Sequence, residues 1–149
     1  MAERKSQRAA DKGPGLISAS DVSRGRPEVI VEFLFDGGLL CISVKNIGEK
    51  PAVNVSVRFS KKLMGLGGTR EISALALFKN IEFLGPGREI VALLDSGSSY
   101  FRRKQPTKVS ALIAYGDLEK RSYELTIKHD LEIYRELPFV SHSAKTNLE

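Results

Sequence analysis

A chain of 149 residues, 42% hydrophobic and 28% charged, has the length of one domain and can bury a core without metal or disulfide staples. Its formal charge of +5 is uneven: residues 1–27 carry six Lys/Arg against three Asp/Glu, and residues 28–137 carry sixteen against fourteen. The nearly balanced body leaves net charge as no argument for a nucleic-acid partner, and the single cysteine, Cys41, excludes an internal disulfide.

Residues 1–27 are rich in Arg, Lys, Ser, Ala and Gly, with only Leu16, Ile17 and Val22 as larger aliphatic residues after Met1. Too little can be buried to offset ordering, so a disordered basic leader is expected. No apolar run of secretory length follows the basic residues. The ordered domain is expected over residues 28–137. In its first strand Val29, Val31, Phe33 and Phe35 alternate with residues that include Glu32 and Asp36, and Asp36-Gly37-Gly38 signals a hairpin into a strand at Leu39–Lys45. Leu40, Ile42 and Val44 then alternate with Cys41, Ser43 and Lys45; Val53, Val55, Val57 and Phe59 alternate with Asn54, Ser56, Arg58 and Ser60. Each run has the period of a strand with one buried face. Between them, Asn46 to Pro51 contains Gly48 and Pro51, residues that reverse a chain.

Lys61–Arg70 is Gly-rich and reads as an irregular, mobile connection between sheets; it lacks the Lys-Ser/Thr pair of a phosphate loop. Glu71–Phe83 fits neither period for long and suggests a short strand or one helical turn, then extended chain. After Gly85-Pro86-Gly87 comes a strand that looks apolar on both faces, with Ile90, Ala92 and Leu94 on one and Val91 and Leu93 on the other. Ser96–Pro106 reads as a loop. Val109, Ala111, Ile113 and Tyr115 mark the next strand, Gly116–Lys120 a turn, and Tyr123, Leu125, Ile127, Leu131 and Ile133 a long last strand. Residues 138–149 are polar and expected to be a disordered tail. About seven short strands at this spacing predict an all-β, antiparallel β-sandwich.

The run Asn46-x-Gly48-x-x-Pro51-Ala52-x-Asn54-Val55 resembles a motif of bacterial Ig-like domains of the CARDB type, and of uncharacterised, often membrane-anchored, bacterial proteins. In those proteins, segments resembling Leu77-Phe78-Lys79-Asn80 and Leu84-Gly85-Pro86-Gly87 recur. The resemblance covers about Pro27 to Leu137 and implies an Ig-like sandwich of seven strands with binding or spacer roles. It brings no catalytic residues.

Few residues invite a chemical reading. His129 lies on the otherwise apolar face of the last strand, where a bulge or an exposed strand end explains it better than a ligand or base, because a working His needs partners. Cys41 reads as a buried or half-buried thiol, and two histidines with one cysteine can hardly build a zinc site. No G-x-S-x-G is present. The carboxylate pairs Asp117/Glu119 and Asp130/Glu132 read as solvated, and Asn54-Val55-Ser56 as a chance match to a glycosylation acceptor. The one local cluster is Tyr100, Phe101, Arg102, Arg103 and Lys104, two aromatics followed by three cations, which suits a partner-binding loop.

The sequence therefore points to a non-catalytic Ig-like interaction or spacer module for a protein partner, with no enzymatic activity, cofactor or metal. The alternative is a nucleic-acid-binding accessory domain using the basic 100–108 loop and the leader. No membrane segment is evident, so the chain is expected in the cytoplasm if complete, and tethered at a membrane or in the envelope if a fragment.

Overall fold

The computed structural model describes residues 25–137; the leader and tail expectations fall on residues 1–24 and 138–149, which lie outside the described residues. Alternating apolar residues produce seven longer strands: β1 (Val29–Asp36), β2 (Leu39–Asn46), β3 (Ala52–Phe59), β6 (Ile81–Leu84), β7 (Glu89–Ser96), β8 (Lys108–Gly116) and β9 (Ser122–Asp130). A two-residue pair, β4 (Met64–Gly65) with β5 (Arg70–Glu71), and two short helices, α1 (Ala76–Lys79) and α2 (Gly97–Arg102), lie in the connections. The strands form two antiparallel sheets, ordered β1-β2-β7 and β6-β3-β8-β9. Together they make a β-sandwich.

The inner faces match the period of two. Val29, Val31, Phe33, Leu40, Ile42, Val44 and Leu94 from one sheet meet Val55, Val57, Val109, Ala111 and Ile113 from the other in one core cluster. Burial of each such side chain contributes roughly 1.5–3 kcal/mol. The β1–β2 hairpin turns on Gly37 and Gly38, whose φ values of 61° and 83° place both turn residues in the left-handed region that a type I′ turn requires.

The motif between β2 and β3 is a junction between sheets, not a hairpin: β2 pairs with β1 and β7, while β3 pairs with β6 and β8. Asn46 is fully buried at this junction and uses its whole amide. Its Oδ1 accepts from the Glu28 N–H (3.1 Å) and the Gly48 N–H (2.9 Å), and its Nδ2 donates to the Lys50 carbonyl (2.8 Å) and the Leu84 carbonyl (3.1 Å). Its own backbone bonds Arg88 and Gly87 in the β6–β7 turn. Gly48 passes so close to residues 26–28 that a Cβ there would lie 2.5 Å from the Arg26 carbonyl oxygen. In β3, Asn54 takes φ 52°, and the pairing with β8 shifts between Val53 and Ser56. This bulge lets both Ala52 and Val55 face inward and turns Val53, expected inside, to a half-buried position.

Two other expectations need correction, and the doubly apolar reading of β7 is completed by its place in the sheet. The last strand ends at Asp130, whose carboxylate accepts from the Glu132 N–H (3.0 Å) and caps a 3₁₀ turn at Leu131–Tyr134; Leu131 enters the core while Ile133 stays exposed. Strand β7 is an edge strand, and its second apolar face, Val91 and Leu93, is open to solvent. The Gly-rich stretch after β3 is not irregular throughout, because it carries the β4–β5 pair and a 3₁₀ turn at Leu66–Gly68.

The two edges of the β1-β2-β7 sheet differ. In the hairpin register, residues 30, 32, 34 and 36 of β1 bond β2, so the polar groups of Val29, Val31 and Phe33 point outward from the edge. Each is met by a side chain from the far end of the sequence: Tyr115 at the Val29 backbone, His129 at the Val31 backbone, and the Tyr134 hydroxyl donating to the Phe33 carbonyl (3.1 Å). At the opposite edge, Gly65 backs onto the Leu94 carbonyl, but from Glu89 to Leu93 no strand lies beside β7 among the described residues.

Replacing the Asn46 amide would strand two backbone donors and two acceptors in or near the core. With roughly 1–3 kcal/mol for each buried group left unpaired, Asn46→Ala is expected to lower unfolding stability by about 3–5 kcal/mol in urea titrations. Asn46→Asp, which keeps the acceptors and loses the donors, should also be clearly destabilised; wild-type midpoints for both would show that the junction does not depend on this amide.

Candidate functional site

The cation cluster expected on a loop is built on a helix. Ser96 caps it, its Oγ accepting from the Ser99 N–H (3.1 Å), and α2 carries Tyr100, Phe101 and Arg102. Tyr100 is fully buried, donates its hydroxyl to the Pro106 carbonyl (2.6 Å), and has its pKa pushed up to about 12, chiefly by burial. Phe101 is half-buried beneath the Arg135 guanidinium, 4.8 Å from its ring centre. Arg103 turns inward. Its guanidinium bonds Asp95, the Met64 carbonyl (3.1 Å) and Ser99 Oγ (3.2 Å), fastening β7, α2 and β4 together.

Asp95 completes this clamp by accepting from the Gly67 N–H (3.2 Å) and the Ser96 N–H (2.8 Å). Burial raises its pKa, but the hydrogen bonds from Arg103, Gly67, Ser96 and Ser99 outweigh burial and hold the carboxyl below its ordinary value. Lys108, counted with the 100–108 loop, pairs with Asp130 at 3.0 Å. Of the five residues Tyr100 to Lys104, only Arg102 and Lys104 are exposed.

His129 is neither on a bulge nor at a frayed end. It pairs with Val109 inside β9, and its ring stands edge-on to Phe33 with centres 5.0 Å apart. Burial pushes its pKa down, while the Val31 backbone and the Glu32 carboxylate pull it back in part. Its Nε2 is buried and has no partner among the described residues. Asp117 is likewise buried rather than solvated: it accepts from the Glu119 and Arg121 N–H groups (both 2.9 Å), Arg121 Nε (2.8 Å) and the Tyr123 hydroxyl (2.9 Å), which locks the β8–β9 turn. The carboxylates of Asp130 and Glu132, by contrast, are spent on a cap and on Arg135. Cys41 is half-buried on the outer face of β2, and burial raises its thiol pKa. His129 and Cys41 thus sit on different sheets, facing opposite ways.

One open apolar surface was missed by sequence reasoning. On the outer face of β1-β2-β7, Leu34, Cys41 and Leu93 form one row across the three strands, with Leu39 and Val91 beside it. Leu39, Val91 and Leu93 are 46%, 49% and 43% exposed. The Glu32, Asp36 and Glu89 carboxylates and Lys45 stand around this patch, and Ser43 Oγ donates to Glu89 Oε2 (2.5 Å). The signal was present in the sequence as the doubly apolar pattern of β7, which reads equally well as a strand buried on both faces. Among the described residues no helix is long and apolar enough to cross a membrane.

The family model for a domain of unknown function, DUF8453, matches residues 6–135. No curated protein matches the chain.

The folded state holds His129 with a depressed pKa, so it binds fewer protons than the unfolded chain between the two values. Its contribution is present above the unfolded value, about 6.5, and is lost as pH falls through the lower folded one. Thermal melts from about pH 7.5 down to about pH 5 should therefore show falling stability. In His129→Phe that fall should be smaller; an identical pH profile for the two proteins would contradict the burial of this imidazole. Arg103→Ala should destabilise by about 2–4 kcal/mol, because it leaves Asp95 buried without its cation, while Arg102→Ala stays within about 0.5 kcal/mol of wild type.

Proposed function

The chain belongs to this family, and we propose that it is a non-catalytic interaction module on an Ig-like sandwich that binds a protein partner through the outer face and open edge of the β1-β2-β7 sheet. The observation that carries this reading is the asymmetry of that sheet. Its β1 edge is capped by three side chains, while β7 from Glu89 to Leu93 has no strand beside its outer edge among the described residues and lies next to exposed Val91 and Leu93. An uncapped edge presents backbone donors and acceptors to a second chain, and adjacent apolar side chains supply burial.

The strand order supports the Ig-like reading. Lettered in sequence, the seven longer strands run A-B-E in one sheet and D-C-F-G in the other. An immunoglobulin constant domain has the same Greek-key logic with the fourth strand on the opposite sheet. The resemblance of Asn46 to Val55 to CARDB-type domains points the same way. Each motif position that is explained here serves the fold: Asn46 the junction, Gly48 the close approach, Ala52 and Val55 the core, Asn54 the bulge. For the nucleic-acid reading, burial of Tyr100 and the Arg103–Asp95 pair leave Arg102 and Lys104 as the exposed residues of the original five.

Photo-crosslinking in the cells that make the protein tests the assignment. A crosslinker at Leu93 is expected to give a discrete protein adduct that disappears in Val91→Lys, while the same group at Thr126, on the outer face of the other sheet, gives none of it. Matching adducts at both positions, or none at Leu93, would remove the support for this surface.

A further inference from the structure

A second site lies on the opposite sheet. Helix α1 packs against the second half of β3, with Phe78 buried edge-on to Phe59 and ring centres 5.0 Å apart. Around this contact β3, the residues that follow it, the stretch at Glu71–Ser73 and α1 bound a groove of about 570 Å³. That volume falls within the roughly 300–1,000 Å³ of small-molecule sites. Four exposed cations from three segments line it: Arg58 on β3, Lys61 and Lys62 just after it, and Lys79 at the end of α1. Glu71 is the one carboxylate in the lining among the described residues, and it accepts from Ser73 Oγ (3.4 Å). Residues 28–137 as a whole carry sixteen cations against fourteen carboxylates, so four against one in a single groove is a local excess of three positive charges. No ion pair among the described residues involves any of the four.

From this confined excess of charge we propose that the groove binds a small molecule carrying two or more phosphate groups, with Arg58, Lys61, Lys62 and Lys79 as its counter-charges. Each phosphate monoester brings a charge of about −1.5 to −2 and three acceptor oxygens, so two of them match the excess within one small volume. Lysine ammoniums meet such groups as point charges, and the Arg58 guanidinium can take two oxygens at once. Ser60, also in the lining, adds a hydroxyl: its Oγ accepts from the Ser110 N–H (2.9 Å), and its own proton is a donor for a phosphate oxygen. An acidic peptide fits less well. Its carboxylates bring one charge each, alternate ones on a strand lie about 6.6 Å apart, and α1 already packs beside this half of β3. A nucleic acid brings bases as well as phosphates, and the rings here offer no stacking platform, because Phe78 is buried and Phe59 half-buried in their mutual contact. The groove and the β7 edge belong to different sheets, so both can be occupied at once.

The test titrates the full chain with inorganic tripolyphosphate by calorimetry, free of divalent cations, at low and at physiological salt. Saturable binding at one site is expected, weakened by salt through screening. Lys61→Ala with Lys62→Ala should weaken it by about fivefold or more, and Arg58→Ala and Lys79→Ala should each weaken it in the same direction. Lys50→Ala with Arg102→Ala, which removes two cations that do not line the groove, should stay within about twofold. All six side chains are exposed, so thermal melts of the variants should overlay the wild type. No saturable binding, or equal weakening in the control, would overturn the proposal. Citrate binding as tightly with the same variant sensitivity would overturn it too, since the groove would then take carboxylates as readily as phosphates. So would displacement of tripolyphosphate by oligo-dT at equal phosphate concentration, an outcome that assigns the groove to a nucleic-acid backbone. Loss of the Leu93 adduct in cells leaves this result unaffected, so the two surfaces stand or fall separately.

Discussion

One buried amide joins the two sheets. Asn46 stands where β2 leaves the first sheet, and its four side-chain hydrogen bonds reach the start of β1, the junction itself and the end of β6. Every strand that changes sheet in this part of the chain passes within its reach. A carboxylate cannot donate to the two carbonyls, and an aliphatic residue can do none of the bonding, so the site accepts Asn for a chemical reason. The close pass of Gly48 over residues 26–28 follows from the same geometry, because the backbone that Oδ1 holds at Glu28 lies directly against that turn.

The all-β class and most strands were legible because burial on one face of a pleated strand leaves a period of two. Val29, Val31 and Phe33, or Leu40, Ile42 and Val44, could be placed before any coordinates were known, and all six are buried. What alternation does not encode is the partner of each face. The pattern of β7 is apolar twice over, and only the structure shows that its second face, Val91 and Leu93, is open among the described residues. Nor does alternation reveal where a strand stops: Leu131 continues the pattern of β9, yet it reaches the core from a 3₁₀ turn. The Gly-Ser-Ser-Tyr-Phe-Arg helix is too short for helical periodicity to register, and its position is set by the Ser96 cap and by Tyr100 entering the core.

The candidate sites were less legible, for reasons of a different kind. A run of aromatics and cations looks the same in sequence whether its side chains meet solvent or each other, and here Arg103 is consumed by Asp95, a residue eight positions earlier. The buried Asp117 was disguised in the same way by its charged neighbours. The exposed cations around Ser56–Phe59, Arg58, Lys61, Lys62 and Lys79, are drawn from β3, the stretch just after it and α1, so no short window of sequence displays them together. Their grouping depends on α1 packing beside the second half of β3.

The capped edge of β1 has a consequence for the order in which the chain is made. Its three fasteners, Tyr115, His129 and Tyr134, lie near the other end of the domain, and the Tyr134 bond to Phe33 spans 101 positions. A ribosome therefore releases the β1–β2 hairpin long before these three side chains exist to close its β1 side, so the growing chain carries an open edge that is capped in the finished sheet. Long-range closures of this kind form late and slow folding. The interval between emergence of Phe33 and emergence of Tyr134 is when nascent chains are most exposed to pairing with one another, and it is fixed by the gene order of the strands, not by the stability of the finished fold.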